Sequence, residues 1–198
     1  MFYILVKYVW GPLILLFWRP RVINRKGLDI KGPAIFVANH ISMCDPLLIA
    51  LLSGRFIHFM AKKELFEKPL GRWFFKALFA FPIKRKTADL ASLRNAMQLL
   101  KDGKVFGIFP EGKRSITFEL DEMEEGAAFL ALRSGAPLLP IYIHASSYRT
   151  QRPKLIVGEP LYASDVVEGL PRSAHMAALT AAMEDSFLHL KTQLENTL

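Results

Sequence analysis

Apolar and polar positions alternate along this chain with several distinct periods. Residues 2–18, "FYILVKYVWGPLILLFW", are apolar throughout except for Lys7. Short β-branched or aromatic runs follow at about 21–24, 34–38, 56–60, 80–84, 105–109, 138–143 and 154–158, and each predicts a strand. Between them, helical spacing covers about 46–53, 64–79, 88–101, 121–134 and 173–196. The last segment carries Met176, Leu179, Met183, Phe187, Leu190 and Leu194 at steps of three and four, a stripe built to pack on a core. Strands alternating with helices predict an α/β fold: a central mixed, largely parallel sheet flanked by helices. With no fixed-period repeat or linker, the chain reads as one domain over residues 21–198 behind a hydrophobic segment at 1–20.

As a straight helix the first segment would reach roughly 25 Å, short of the ~30 Å hydrocarbon core. Gly11–Pro12 is expected to interrupt it near the middle. Phe2, Tyr3, Tyr8, Trp10, Phe17 and Trp18 are residue types that favour the headgroup boundary. No secretory cleavage pattern accompanies them. The expected role is a monotopic or peripheral membrane anchor, with a short span and an ordinary buried helix as the other readings. Arg19, Arg21, Arg25, Lys26 and Lys31 come next and favour the cytoplasmic face of the membrane for the remainder.

Composition sharpens this picture. The chain has 198 residues, 52% hydrophobic and 12% aromatic, enough for a substantial core and too apolar for disorder. Its formal net charge is +8, and residues 51–104 alone hold twelve basic against four acidic residues. Such a field attracts phosphate-bearing partners. Within it, "LFEKPLGRWFFKALFAF" repeats Lys68, Arg72 and Lys76 every four residues among Trp73, Phe74, Phe75 and Phe79. Cations interleaved with large aromatics suit an anionic membrane surface, and equally suit a core helix with a solvated edge. No nucleic-acid module pattern is present, and the greasy N-terminus favours lipid over nucleic acid. Neither a GxxxxGK[ST] nor a GxGxxG after a strand supports a nucleotide fold. Cys44 is alone, so no intrachain disulfide forms and a reducing compartment fits.

Two stretches carry candidate chemistry. In "VANHISMCDP", His40 closes a predicted strand and Asp45 opens a predicted helix, with Pro46 at an early helical position. Ligands in α/β sheets sit at loops leaving the carboxyl ends of strands. There Asp45 can fix one imidazole nitrogen as protonated and leave the other free to take a proton. Alternatively, Asp45 or Ser42 caps the helix and His40 fills space; five-residue spacing alone does not separate these readings. In "FGIFPEGKRS", a predicted strand runs into Glu111, Gly112, Lys113, Arg114 and Ser115. Gly112 permits a tight turn. Arg114 offers a planar fork for phosphate, Lys113 adds charge, and Glu111 can orient the arginine or a ligand hydroxyl. Arg85 in "FPIKR" ends another predicted strand and can face the same edge.

"NHISMCD" followed by "FPEGKRS" resembles the glycerolipid acyltransferase family, the bacterial 1-acylglycerol-3-phosphate acyltransferases in particular. The first matches its NHxxxxD block. The second matches its FPEGTRS block, with Lys113 where threonine is usual. "AKKELFEKPLGRW" fits the K-x-x-L-x-x-x-P run through Lys62, Leu65 and Pro69. "FPIKR" fits the block ending in Arg85, with Ala80 replacing a glycine, and "APLLPIYI" fits the proline block through Pro140. These blocks stand in family order over roughly residues 25–160.

The resemblance implies transfer of a fatty acyl group from acyl-CoA or acyl carrier protein to the free sn-2 hydroxyl of 1-acylglycerol 3-phosphate, giving phosphatidic acid. His40 and Asp45 would be the catalytic pair. Arg85, Glu111, Gly112 and Arg114 would hold the acceptor phosphate, and Lys62 would contact the oxyanion or substrate. No bound cofactor and no metal are expected; His58, His144, His175 and His189 lack convergent partners by spacing. Acylation of another lysolipid, such as a lyso-ornithine lipid, and a non-catalytic lipid-binding role are the other functional readings. The acidic run Glu119, Asp121, Glu122, Glu124 and Glu125 is expected to open a helix, where negative charge suits the macrodipole.

Overall fold

The short β-branched runs are strands in the computed structural model, which describes residues 2–83, 90–148 and 152–198. They are β1 (Arg21–Ile23), β2 (Ala34–Ala38), β3 (Ile57–Lys62), β4 (Phe81–Ile83), β5 (Val105–Ile108), β6 (Leu138–Ile143) and β7 (Lys154–Val157). One sheet holds them in the order β1-β7-β6-β2-β5-β3-β4. The five strands from β6 to β4 run parallel, whereas β7 is antiparallel to β6 and β1 is parallel to β7. The sheet is therefore mixed and mainly parallel, as the alternation of elements requires.

The helices are α1 (Phe2–Leu5), α2 (Gly11–Trp18), α3 (Asp45–Leu52), α4 (Pro69–Ala77), α5 (Leu90–Lys101), α6 (Gly126–Ser134), α7 (Ala163–Val166) and α8 (His175–Glu195). β2 shows how the two layers form. Ile35 and Val37 join the core under α5, α6 and α8, while Ala34, Phe36 and Ala38 join the core under α3. All five residues are buried, the mark of a strand covered on both faces. The predicted stripe of α8 is confirmed: Leu179, Met183, Phe187, Leu190 and Leu194 are its buried residues.

Two expected elements differ. The helix predicted over 121–134 begins only at Gly126. The acidic residues before it are held by tertiary partners instead: Glu119 pairs with Lys191 at 2.7 Å and Asp121 with Lys113 at 3.5 Å. Nor does Gly11–Pro12 break the first helix. A π-helical turn, Val6–Trp10, precedes it, and the Gly11 N–H bonds the Val6 carbonyl. Proline lacks an N–H and its ring crowds the preceding turn; one widened turn absorbs both problems.

This first helical stretch lies against the body on an unusual stripe. Tyr3, Lys7 and Gly11, four residues apart, are its buried positions. The Tyr3 hydroxyl meets the Ile57 backbone, and the Lys7 ammonium donates to the Ala50 and Arg55 carbonyls. Gly11 sits so close to α3 that a Cβ would lie 2.7 Å from Leu51 Cδ2. Ile4, Leu5, Tyr8, Val9, Trp10, Leu13, Leu16 and Phe17 all point outward, Phe17 with 72% of its surface exposed. Phe2 packs on Trp73 and Phe74 of α4, so the exposed apolar face continues onto that helix. No helix among the described residues is long and apolar enough to cross a membrane.

Candidate active site

The chain leaves the carboxyl end of β2 through Asn39 and His40. Asn39 extends the β2–β6 ladder with its side chain. Its carboxamide nitrogen donates to the Ile143 carbonyl at 2.9 Å, and its oxygen accepts the Ile143 N–H at 2.7 Å. The strand end is therefore fixed one residue before His40.

His40 is 8% exposed and Asp45 wholly buried. The imidazole Nδ1 lies 2.8 Å from Asp45 Oδ2. An ionised carboxylate only accepts, which assigns the proton to Nδ1 and leaves Nε2 with a lone pair. The same Oδ2 accepts the Ile41 N–H at 2.8 Å and the Ser42 N–H at 2.7 Å. Asp45 thus reaches back along the loop that precedes its helix, and His40 and Asp45 share one buried environment. Ser42 serves locally, its hydroxyl accepting the Cys44 N–H at 3.2 Å. Phe109 stacks on the imidazole with centroids 4.1 Å apart and planes 21° from parallel. Phe59 extends that stack at 6.0 Å, in space that exists because residue 107 is glycine: a Cβ there would lie 2.3 Å from the Phe59 ring.

The loop after β5 is joined to the histidine through backbone. Glu111 Oε2 accepts the His40 N–H at 3.3 Å, and the Ser115 N–H donates to the His40 carbonyl at 2.8 Å. Burial pushes the Glu111 carboxyl up to about 7; the bond from the His40 amide opposes the rise, and the Asp121 and Asp45 charges add to it. Gly112 adopts φ +64, the left-handed region, and a Cβ there would meet Glu124 Oε1 at 2.4 Å. The turn and the close approach both require glycine. Lys113 pairs with Asp121, and Arg114 is exposed with no partner among the described residues.

Of the residues singled out from sequence, the structure brings His40, Asp45, Glu111 and Gly112 together and sets Arg114 one residue from a bond to the histidine. Glu111 holds the backbone of His40, and among the described residues no bond joins it to Arg114. Lys62 ends β3 on the same edge of the sheet, exposed and 3.4 Å from Glu64. Arg85 lies outside the described residues. Asn39 and Phe109 were not singled out, although each sits directly beside a motif: one precedes His40, the other opens "FPEG". Their roles depend on strand neighbours remote in sequence.

Comparisons with known proteins show the family and the fold. The family described as Acyltransferase matches residues 19–144. A 1-acyl-sn-glycerol-3-phosphate acyltransferase of Bacillus subtilis is 32% identical over 181 residues, which cover 88% of this chain and 89% of that one. A chloroplastic 1-acyl-sn-glycerol-3-phosphate acyltransferase of Arabidopsis thaliana is 33% identical over 126 residues, 60% of this chain and 35% of its own length. The crystal structure of PlsC, the 1-acyl-sn-glycerophosphate acyltransferase of Thermotoga maritima, superposes with a TM-score of 0.66 over 94% of this chain and 79% of that one. At 22% identity that likeness shows a shared fold.

Proposed function

Because this chain belongs to the acyltransferase family, we propose that it transfers a fatty acyl group from a thioester donor, acyl-CoA or acyl carrier protein, to the sn-2 hydroxyl of 1-acylglycerol 3-phosphate, forming phosphatidic acid. One observation carries the reading: Asp45 holds His40 Nδ1 at 2.8 Å, and no described residue bonds Nε2. An alkyl hydroxyl is a weak nucleophile near neutrality, so Nε2 accepts its proton as the oxygen attacks the thioester carbonyl. Asp45 stabilises the imidazolium that forms. The tetrahedral intermediate then expels the thiolate, which takes the proton from Nε2 and leaves as free thiol. Backbone amides beside the loop, or Lys62, are the candidate donors to the transient oxyanion.

The acceptor phosphate is assigned to Arg114, with Gly112 shaping its loop, Glu111 tying that loop to His40, and Arg85 assisting. This arrangement places the free hydroxyl beside the base, where positioning removes much of the entropic barrier. The outward apolar face of residues 2–18, continued by Trp73 and Phe74, rests on the cytoplasmic leaflet, and Lys68, Arg72 and Lys76 meet its anionic headgroups.

The test is thiol release from long-chain acyl-CoA and from acyl carrier protein, with lysophosphatidate or lyso-ornithine lipid as acceptor. Wild type is expected to acylate lysophosphatidate, and His40→Ala to lose on the order of 10²–10⁴ of the rate. Equal turnover in both proteins would reject the base. Acylation of the phosphate-free acceptor alone would reject the substrate, and no turnover with any pair would leave a lipid-binding protein.

A further inference from the structure

The dyad contains one polar atom that the mechanism has not used. Asp45 Oδ2 takes three donors, whereas Oδ1 is buried with no hydrogen-bond partner among the described residues. A carboxylate oxygen left bare in a protein interior demands an explanation. The Tyr148 hydroxyl is another such atom, likewise buried and without an acceptor among the described residues. The two belong to one neighbourhood. Tyr148 packs against the same buried core that holds Ile41 and Leu48, which flank the dyad, and its hydroxyl pKa is raised by burial first and by the nearby Asp45 charge after it. An acceptor lacking a donor thus adjoins a donor lacking an acceptor.

Tyr148 is held there against its own preference. Its φ is +66, the left-handed region that bulky side chains avoid. Ser147 fixes the backbone beside it, its hydroxyl donating to the Lys154 carbonyl at 3.1 Å and accepting the Lys154 N–H at 3.0 Å. Trp18, the last residue of α2, meets the Tyr148 ring edge-on with centroids 5.8 Å apart. The connection between β6 and β7 therefore carries the tyrosine to Asp45, while β6 itself pins Asn39 beside His40.

We propose that Tyr148 is a positioning residue for the dyad: its hydroxyl donates to Asp45 Oδ1, fixing the rotation of the carboxylate against His40, with Trp18 seating its ring. The bond forms when a side chain turns as the site fills; catalytic hydrogen bonds commonly tighten only then. The end of the outward-facing helix and the catalytic carboxylate thereby share one side chain. This rests on the acyl-transfer reading given above.

Tyr148→Phe keeps the ring on Trp18 and deletes only the hydroxyl. Its kcat is expected to fall about tenfold with KM for donor and acceptor unchanged, the effect of losing one hydrogen bond to a charged group. The low-field proton resonance of His40 Nδ1–H is expected to shift and broaden. An unchanged kcat with an unmoved resonance overturns the proposal. Should Tyr148→Phe not fold, 3-fluorotyrosine at position 148 of the full chain preserves the packing and strengthens the donor; an unmoved resonance there overturns it equally. The resonance is read without turnover, so it tests Tyr148 even if wild type releases no thiol and the acyl-transfer reading fails.

Discussion

Two loops meet at His40, and they are built in opposite ways. The loop from β2 into α3 is buried and fastened: Asn39 to β6, His40 to Asp45, Asp45 to two backbone amides, and the imidazole to the face of Phe109. The loop from β5 toward α6 is tied to the His40 backbone at its root by Glu111 and Ser115, and further on it is held by surface ion pairs, Lys113 with Asp121 and Glu119 with Lys191, while Arg114 extends into solvent. A proton moves only over a short, aligned path, so the atoms that pass it must be held before substrate arrives. A phosphate enters from water, and a long exposed guanidinium can meet it and close on it. Rigidity belongs where geometry controls rate, and reach belongs where charge controls capture.

Substitutions on each side sharpen that contrast. The largest effect is expected on the fastened side. Asp45→Asn keeps the volume but offers an amide to Nδ1 where only an acceptor serves, and kcat should fall on the order of 10²–10⁴ with KM nearly unchanged. Loss in KM instead would mean that Asp45 serves binding. On the solvated side, Arg114→Ala should raise KM for lysophosphatidate about tenfold and change kcat little, the gap to wild type narrowing in high salt. A kcat collapse there would place the arginine in the chemistry.

The smallest effect concerns the root where the loops join. With its carboxyl at about 7 rather than the ordinary 4.5, Glu111 binds its proton more tightly in the folded chain than in the unfolded one. Stability attributable to this group is therefore fully present at low pH and declines as pH rises through that window. Glu111→Gln retains an oxygen for the His40 N–H and removes the titration. Its melting temperature should vary less with pH across the window, by a few degrees at most for a domain of this size. A steeper dependence in the variant would contradict the assignment.

Much of this was legible from residue order, for a physical reason. Strands such as Ala34–Ala38 and Leu138–Ile143 are covered on both faces, so they appear as unbroken apolar runs, and Leu179 to Leu194 mark one face of a helix by spacing alone. The motif residues were visible because His40 and Asp45 are near in sequence as well as in space. What was hidden depends on distant partners. Glu119 and Asp121 looked like the start of a helix, yet Lys191 and Lys113 claim them. The bond from Glu111 to the backbone of a residue 71 positions earlier could not be read from spacing. Tyr148 belongs to no motif, and the place proposed for it beside Asp45 depends on β6 lying beside β2. The π-turn before Pro12 escaped as well, since the dipeptide alone does not reveal whether a helix will stop or stretch.

The stripe formed by Tyr3, Lys7 and Gly11 turns the first helix inside out. Its few polar and small side chains face the protein, while its oily ones face away. Lys7, whose ammonium burial holds down to about 8, is the plug: it occupies the Ala50 carbonyl near the end of α3, the helix that Asp45 begins, and the Arg55 carbonyl just past it. Shaving off these residues to obtain a tamer protein would strip grease from the exterior and, in the same cut, unstopper the far end of the helix on which Asp45 stands.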